Sequence, residues 1–535
     1  MQIDLAIVDW LLIGIYFVFV LGIGFALKRY MVSSEDFLFS GKSIPAWVCG
    51  LAFLSANLGA LEVMGMAGNG YKYGMMTAHL YWIGAIPAML FVGIFMMPFY
   101  YGSHARSVPE YLHLRFDGRV RGLNAISFAV LTLLTSGINM YAMAVVFEVM
   151  LGWSMPISIV LSAVVVLAYT FLGGLTSSIY NEVLQFFLIV FGFAPLAIVG
   201  VQSVGGWDGL THKLAAQPGM MGIWHGVTHA QDNTMGIELV GLVMGLGFVL
   251  SFGYWCTDFL VVQRALASKD LLSAQRTPLI AAVPKMFFPF LVIVPGLVAS
   301  ATRMELPGGS YDFTLPMMLN HFYPSGMLGI GLAALLASFM SGMAGNVTAF
   351  NTVVTVDIFQ AYFRPNATDA ELLRVGKHAT LWGVVVSVGA AFLVTQFNSV
   401  MDYMQLLFSF FNAPIFATFL LGMFWRRTSA IGAFWGLLTG IGAGVVHHVG
   451  KVLGFITERS DISSAFHGAI WSFAACFVVT WALSLVTPGK DPNALKGLVY
   501  GLTPQPLAQG PVWARPKVAA IAVLVVLVCL NLMFA

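Results

Sequence analysis

The chain has 535 residues, 59% of them hydrophobic and 9% charged, with a net charge of +2. A soluble domain carries about 25% charged residues, so one water-soluble core is excluded, and the near-zero balance offers nothing to a nucleic acid. Lipid satisfies no backbone group, so a chain living in it is helical or a closed barrel, and continuous apolar runs without alternation select helices. The expected fold class is an all-α integral membrane protein, one transmembrane domain over residues 1–535.

Fourteen apolar stretches are long enough to span a bilayer core, which takes about 20 helical residues. In chain order they are 6–27, 46–72, 75–100, 122–151, 153–172, 178–203, 236–262, 276–303, 326–358, 377–397, 399–425, 429–450, 465–486 and 517–534. The first is flanked by Asp4 and Asp9 on one side and Lys28-Arg29 on the other, which suits a retained span better than a cleaved leader. Placing the N-terminus outside puts nineteen of the 25 Lys and Arg residues on inner connections and five on outer ones, with Lys285 inside a span. The positive-inside rule then sets both termini on the outer side. The gaps at 204–235 and 487–516 are too short for a soluble domain. Cys49, Cys256, Cys476 and Cys529 lie scattered on apolar stretches and read as small buried hydrophobes.

Two stretches carry signs of a broken helix. The second holds Ser55-Ala56-Asn57-Leu58-Gly59 through Glu62 and Gly65, and the seventh holds Leu250-Ser251-Phe252-Gly253-Tyr254-Trp255. They stand five spans apart, so spans 2–6 and 7–11 make two units of odd length, and an odd length inverts the second unit. Glycines at tight helix crossings would produce the same strings. A charge inside a span costs about 2.5–3.5 kcal/mol on insertion scales, so Glu62, Glu182, Asp258 and Lys285 each require a reason. Glu182 and Asp258 stand near inner span ends, where a solvated or Arg-paired group competes with a functional one. Glu62 and Lys285 stand deeper, as binding groups or as a structural ion pair. The polar run Ser338-Phe339-Met340-Ser341-Gly342 interrupts an apolar span. A hard cation takes hydroxyl oxygens together with carbonyls freed by unwinding, although a serine in such a helix often bonds only its own preceding turn.

Several strings, in this order, resemble the sodium/solute symporter family in its sodium–glucose and sodium–galactose branch. They are Ser107-Val108-Pro109-Glu110-Tyr111-Leu112 with Arg115-Phe116, then Gly173-Gly174-Leu175, then Tyr254-Trp255-Cys256-Thr257-Asp258 with Val262-Gln263-Arg264. Thr355-Val356-Asp357-Ile358, Phe424-Trp425-Arg426-Arg427 with Gly432-Ala433-Phe434-Trp435-Gly436, and Trp513-Ala514-Arg515-Pro516 follow. The resemblance implies about fourteen transmembrane helices around a ten-helix, LeuT-like core of two inverted five-helix repeats, about 46–203 and 236–425. The helices at 6–27, 429–450, 465–486 and 517–534 are peripheral. It also implies symport of a solute with Na+ by alternating access. The family's main sodium site falls on Ser55 and Leu58 in the first core helix and on Ser338, Ser341 and Gly342 in the eighth. Family members usually carry a hydroxyl where Gly342 stands, so one ligand is missing here or replaced by water. A second cation site of some members uses an acid that falls on Glu182, with Ala344 and Gly345 in place of its hydroxyls.

For the solute, Lys285, Gln405 and Tyr254 match the family's binding lysine, glutamine and stacking tyrosine. Glu62 stands where sugar carriers have Gln or His, Tyr81 where they have a hydroxyl-binding Glu, Ser251 for an Asn and Gly84 for a Ser. Glu62 restores the acceptor lost at Tyr81, which favours a sugar or polyol as the solute. Sialic acid, an amino acid, a carboxylate or an amine is the alternative, and a proton carried on Glu62 or Glu182 is the alternative to sodium. A membrane sensor with a transporter fold is the rival class. An enzyme is disfavoured, because His225, His229 and the His447-His448 pair have no further ligand nearby to complete a zinc site. No Gly-x-x-x-x-Gly-Lys-Ser/Thr run is present, which disfavours ATP-driven pumping. A bacterial inner membrane is the expected location.

Overall fold

The computed structural model describes residues 4–28, 33–397, 399–503, 512 and 515–535. Among these residues the fold is all helical apart from one bridge, Ile44 to Ser268. Eleven helices are long and apolar enough to cross a membrane, or up to twelve when a bent pair is counted as one span. In chain order the helices used below are α1 (Ile7–Lys28), α2 (Ala46–Ser55), α3 (Met66–Tyr73), α4 (Leu80–Gly102), α5 (Gly118–Leu151), α6 (Met155–Leu167) and α7 (Gly174–Ser203). They continue as α8 (Gly241–Thr257), α9 (Phe259–Leu266), α10 (Leu271–Ala301), α11 (Met327–Phe363), α12 (Asp369–Val394), α13 (Val400–Phe424), α14 (Ala430–Val452), α15 (Asp461–Val486) and α16 (Pro516–Met533).

By this measure the expected fourteen is not reached. The stretch 46–72 is split into α2 and α3, whereas the helix that begins at Met155 runs on to Ser203 with a kink at Gly174, so the stretches 153–172 and 178–203 lie on one kinked helix. Helix α12 starts eight residues before its apolar stretch does, because Thr368 and Glu371 form a reciprocal capping box that begins the helix in water. Hydropathy does not register such a polar first turn.

The second expected break is displaced. The chain is helical through Ser251–Thr257, after a run of wide π-helical turns over Gly241–Leu250. It bends by 48° at Asp258, between α8 and α9, where the backbone is extended. Gly253 serves the alternative use: a Cβ there would stand 2.9 Å from the Asn412 carbonyl oxygen. The Asp258 side chain accepts from Leu260 N at 3.0 Å and restarts the helix as its N-cap.

Several helix ends are fastened by buried ionic or polar side chains. Arg115 is fully buried and donates to the carbonyls of Gly422 (2.6 Å), Trp425 (3.0 Å) and Thr428 (3.2 Å), closing the C-terminal end of α13. Arg121 pairs with Asp357 at 2.8 Å. At the start of α11, Asp9 from α1 accepts from Gly326 N and Gly329 N, both at 2.7 Å. Helix α11 packs against α1, α5 and α7, which places its middle at the centre of the molecule.

Candidate functional site: a cavity beside a broken helix

The helix that begins at α2 stops after Ser55, and the chain is non-helical through Ala56–Gly59 before winding again from Ala60 towards α3. Side chains from other helices hold the break in place. Asn57 Nδ2 donates to Tyr254 OH at 2.9 Å, and Lys285 Nζ donates to Asn57 Oδ1 at 2.6 Å. Lys285 also forms an ion pair with Glu62, just past the break. Its ammonium lies 5.0 Å from the Tyr81 ring centroid and 5.1 Å from that of Trp255. Lys285 is 1% exposed, and taking such a charge out of water costs several kcal/mol. One carboxylate, one amide oxygen and two ring faces, the last about 0.5–2 kcal/mol each, offset that cost.

The lysine is placed by an interruption in α10. Its first half ends at Lys285 with Pro284 inside it, and the next half begins at Phe288. Trp82 Nε1 from α4 donates to the Met286 carbonyl in the gap at 3.0 Å. That bond satisfies one of the carbonyls that the interruption frees.

A central cavity opens beside this network, and Glu62, Tyr81, Ser251, Tyr254, Lys285 and Gln405 all line it. All six expected solute residues converge on one space from five helical segments. Tyr254 stacks on Phe408, with ring centroids 4.9 Å apart and planes at 29°. Gly84 faces Ser251 so closely that a Cβ at 84 would collide with the Ser251 hydroxyl. The small residue on α4 and the short polar one on α8 are thus a matched pair.

The expected cation residues also meet. Ser338 Oγ donates to the Leu58 carbonyl at 2.5 Å, and Ser341 Oγ to the Ser55 carbonyl at 2.9 Å. The hydroxyls of Ser55 and Ser341 are 3.1 Å apart. The donor set is all oxygen, without sulfur or imidazole, which fits a hard monovalent cation. The Ser338–Gly342 run lies inside the unbroken helix Met327–Thr352. The unwound carbonyls come from the first break alone, and α11 contributes side-chain hydroxyls.

Glu182 stands apart. It is fully buried and pairs with Arg264 at 2.5 Å, while Ser178 donates to it at 2.7 Å. The same guanidinium lies 3.5 Å from where a Cβ at residue 345 would be. This is the Arg-paired arrangement that competed with a functional one. Among the described residues no group of three or more His, Cys, Asp and Glu side chains is placed to hold a metal ion. Sequence reasoning missed Asn57, Asn139, Trp255 and Phe408 as site residues. Asn57 lay inside the string read as a break, and a polar amide in a span carries the same signal as a charge, only weaker.

The sequence model of the sodium:solute symporter family matches residues 37–440. A sodium/glucose cotransporter of Vibrio parahaemolyticus is 28% identical over 82% of this chain and 84% of its own length. The sodium/myo-inositol cotransporter 2 of Homo sapiens is 28% identical over 92% of this chain and 78% of its own. Among solved structures, a substrate-bound, outward-open Na+-coupled sialic acid symporter superimposes with a TM-score of 0.77 at 19% identity, covering 91% of this chain and all of the other. A nucleobase-cation-symport-1 family transporter has the same general fold at a TM-score of 0.55. With the family match covering most of its length and its multiple apolar helices, this chain belongs to the sodium:solute symporter family: a multi-pass membrane transporter, not an enzyme, with Na+ as its coupling ion.

Proposed function

We propose that the protein carries a small, neutral, hydroxyl-rich solute, a sugar or polyol, with sodium by alternating access. One observation carries the reading. The cavity sets a carboxylate acceptor and an ammonium donor side by side as an ion pair, Glu62 with Lys285, so the pair adds no net charge. A neutral solute with hydroxyls that both donate and accept is served by that pair, whereas an amine or a carboxylate would have to compete with a charge already matched. Tyr81, Tyr254 and Trp255 supply ring faces for the apolar side of such a solute. The glucose and myo-inositol cotransporters named above are relatives in keeping with this choice.

Ser55, Leu58, Ser338 and Ser341 hold the sodium ion in this reading, and a single ion suffices, since Arg264 already occupies Glu182. Residues 46–203 and 236–425 form the two inverted repeats, each opening with a broken helix, the first interrupted at Ala56–Gly59 and the second bent at Asp258, towards its end. Both termini face outward in a bacterial inner membrane, on the strength of the basic inner connections.

The test is the thermal stability of purified protein in sodium and in choline, each with hexoses, polyols, sialic acid, amino acids and carboxylates. A ligand that binds the folded state raises the melting temperature by mass action. A hexose or polyol shift that needs sodium, and that Lys285→Ala or Gln405→Ala removes, is the expected result. A sodium-dependent shift with an acidic or amino solute instead sinks the sugar assignment.

A further inference from the structure

Gly342 stands where a hydroxyl would be expected, yet the space beside it is filled. A Cβ on Gly342 would lie 2.7 Å from Asn139 Oδ1 and 2.9 Å from the Gly59 Cα. A Cβ on Gly59 would collide with the same amide oxygen. An oxygen from α5 therefore reaches into the region that a side chain at 342 would enter, and both glycines are what admit it.

The amide is oriented by its bonds. Asn139 Oδ1 accepts from Ala60 N at 2.8 Å, and its Nδ2 donates to the Thr135 carbonyl at 3.2 Å. The oxygen is thus the atom presented to the break, and one of its two lone pairs remains for another partner. Asn139 is 3% exposed, and it lines the central cavity together with Gly59 and Gly342. Ala60 N is the first amide after the break, with no preceding turn to receive it, so the same oxygen caps the second half of the broken helix.

We infer that Asn139 Oδ1 is a ligand of the coupling sodium ion, taking over from α5 the place of the hydroxyl absent at Gly342. The set is then two carbonyls of the break, two hydroxyls of α11 and one amide oxygen of α5. The ion ties a third helix to the two that its other ligands join. Because the amide oxygen also accepts from Ala60 N, sodium bound at this oxygen reinforces the winding of the chain that leads to Glu62. The inference rests on the assignment of Ser55, Leu58, Ser338 and Ser341 as the other ligands.

The measurement is the sodium concentration that gives half the maximal thermal stabilisation of the purified protein, with choline holding ionic strength constant. Asn139→Ala is expected to raise it roughly tenfold or more, as loss of one supporting group commonly weakens a metal site by about 10–100-fold. Gly342→Ser alone crowds Asn139 and also raises it. The double variant Asn139→Ala with Gly342→Ser restores it to within a few-fold of the parent, since the new hydroxyl has both the room and the role. Should Asn139→Ala lower the melting temperature equally in sodium and choline and leave the half-maximal sodium unchanged, Asn139 is a helix cap only and the inference fails. If Asn139→Ala does not fold, Asn139→Asp decides. It keeps an acceptor for Ala60 N and adds a negative charge, so it lowers the half-maximal sodium if the oxygen is a ligand and leaves it unchanged if it is not. Ser341→Ala separates the two readings: an unaltered sodium response in that variant overturns the underlying ligand set, whatever Asn139 does.

Discussion

Lys285 has one carboxylate, one amide and two rings around it, and the balance among them sets what a substitution does. Glu62→Gln removes the opposing charge and leaves the ammonium buried, a change that typically costs about 3–5 kcal/mol. Replacing both partners by apolar groups, Glu62→Leu with Lys285→Met, removes the desolvation cost along with the attraction. The double variant is therefore expected to be more stable than Glu62→Gln and near the parent, in a double-mutant cycle read by chemical denaturation. A double variant less stable than either single one would mean that the pair is a net source of stability. The same arithmetic explains which site residues were legible in the sequence. A charge in lipid is costly enough to demand a reason, so Glu62 and Lys285 stood out. Asn57 and Asn139 are neutral amides with a lower insertion cost, and nothing local to either reveals that one links Lys285 to Tyr254 and the other reaches across to Ala60.

At the scale of elements, the sequence located helices by hydropathy and lost their edges where capping begins in water, as at Thr368. It found the first break because Gly59, Glu62 and Gly65 crowd one stretch, and misplaced the second because a glycine reports close packing as readily as a bend. Gly253 marks the crossing with α13, whereas the bend belongs to Asp258, which needs no glycine. The connection between α10 and α11 carries a further consequence. Asp312 lies in it, 1% exposed, accepting from Val400 N at 3.2 Å at the start of α13. Burial pushes its carboxyl up to about 7, with Val400 N opposing and Asp402 adding to the rise. A raised folded-state value means that the neutral form is the one the fold favours. Its contribution is fully present below the ordinary carboxylate range and is lost as pH climbs from about 4 towards 7. Asp312→Asn keeps the acceptor for Val400 N and cannot ionise. The variant should melt higher than the parent at pH 8, with the gap closing as pH falls to about 4. A gap independent of pH would show that Asp312 does not titrate in this window.

For the molecule as a whole, some of the strings that carry the family resemblance help to fasten it together on one side. Ser107 caps the short helix Val108–Arg115, Arg115 closes α13, and Asp357 receives Arg121. Lys490, outside those strings, reaches the Leu114 carbonyl. These residues are far apart in sequence, and no local pattern announces that they meet. If both termini are outside, this fastened side faces the cytoplasm. A membrane-impermeant thiol reagent added to intact cells should then label Arg303→Cys, in the connection after α10, and spare Lys269→Cys, in the connection before it; both positions are exposed. The reverse pattern would invert the topology.

The bond from Asp9 to the first turn of α11 sets a limit on how the protein can be trimmed or fused. Asp9 sits in the first turn of α1, yet it accepts from two amides at the start of the helix that carries Ser338 and Ser341. A deletion that stops short of Asp9 leaves those amides satisfied. One that passes it uncaps the start of the ion-bearing helix and strips a negative charge from the positive end of its dipole. The cost of shortening the N-terminus would then appear some distance away, as a weaker hold on sodium.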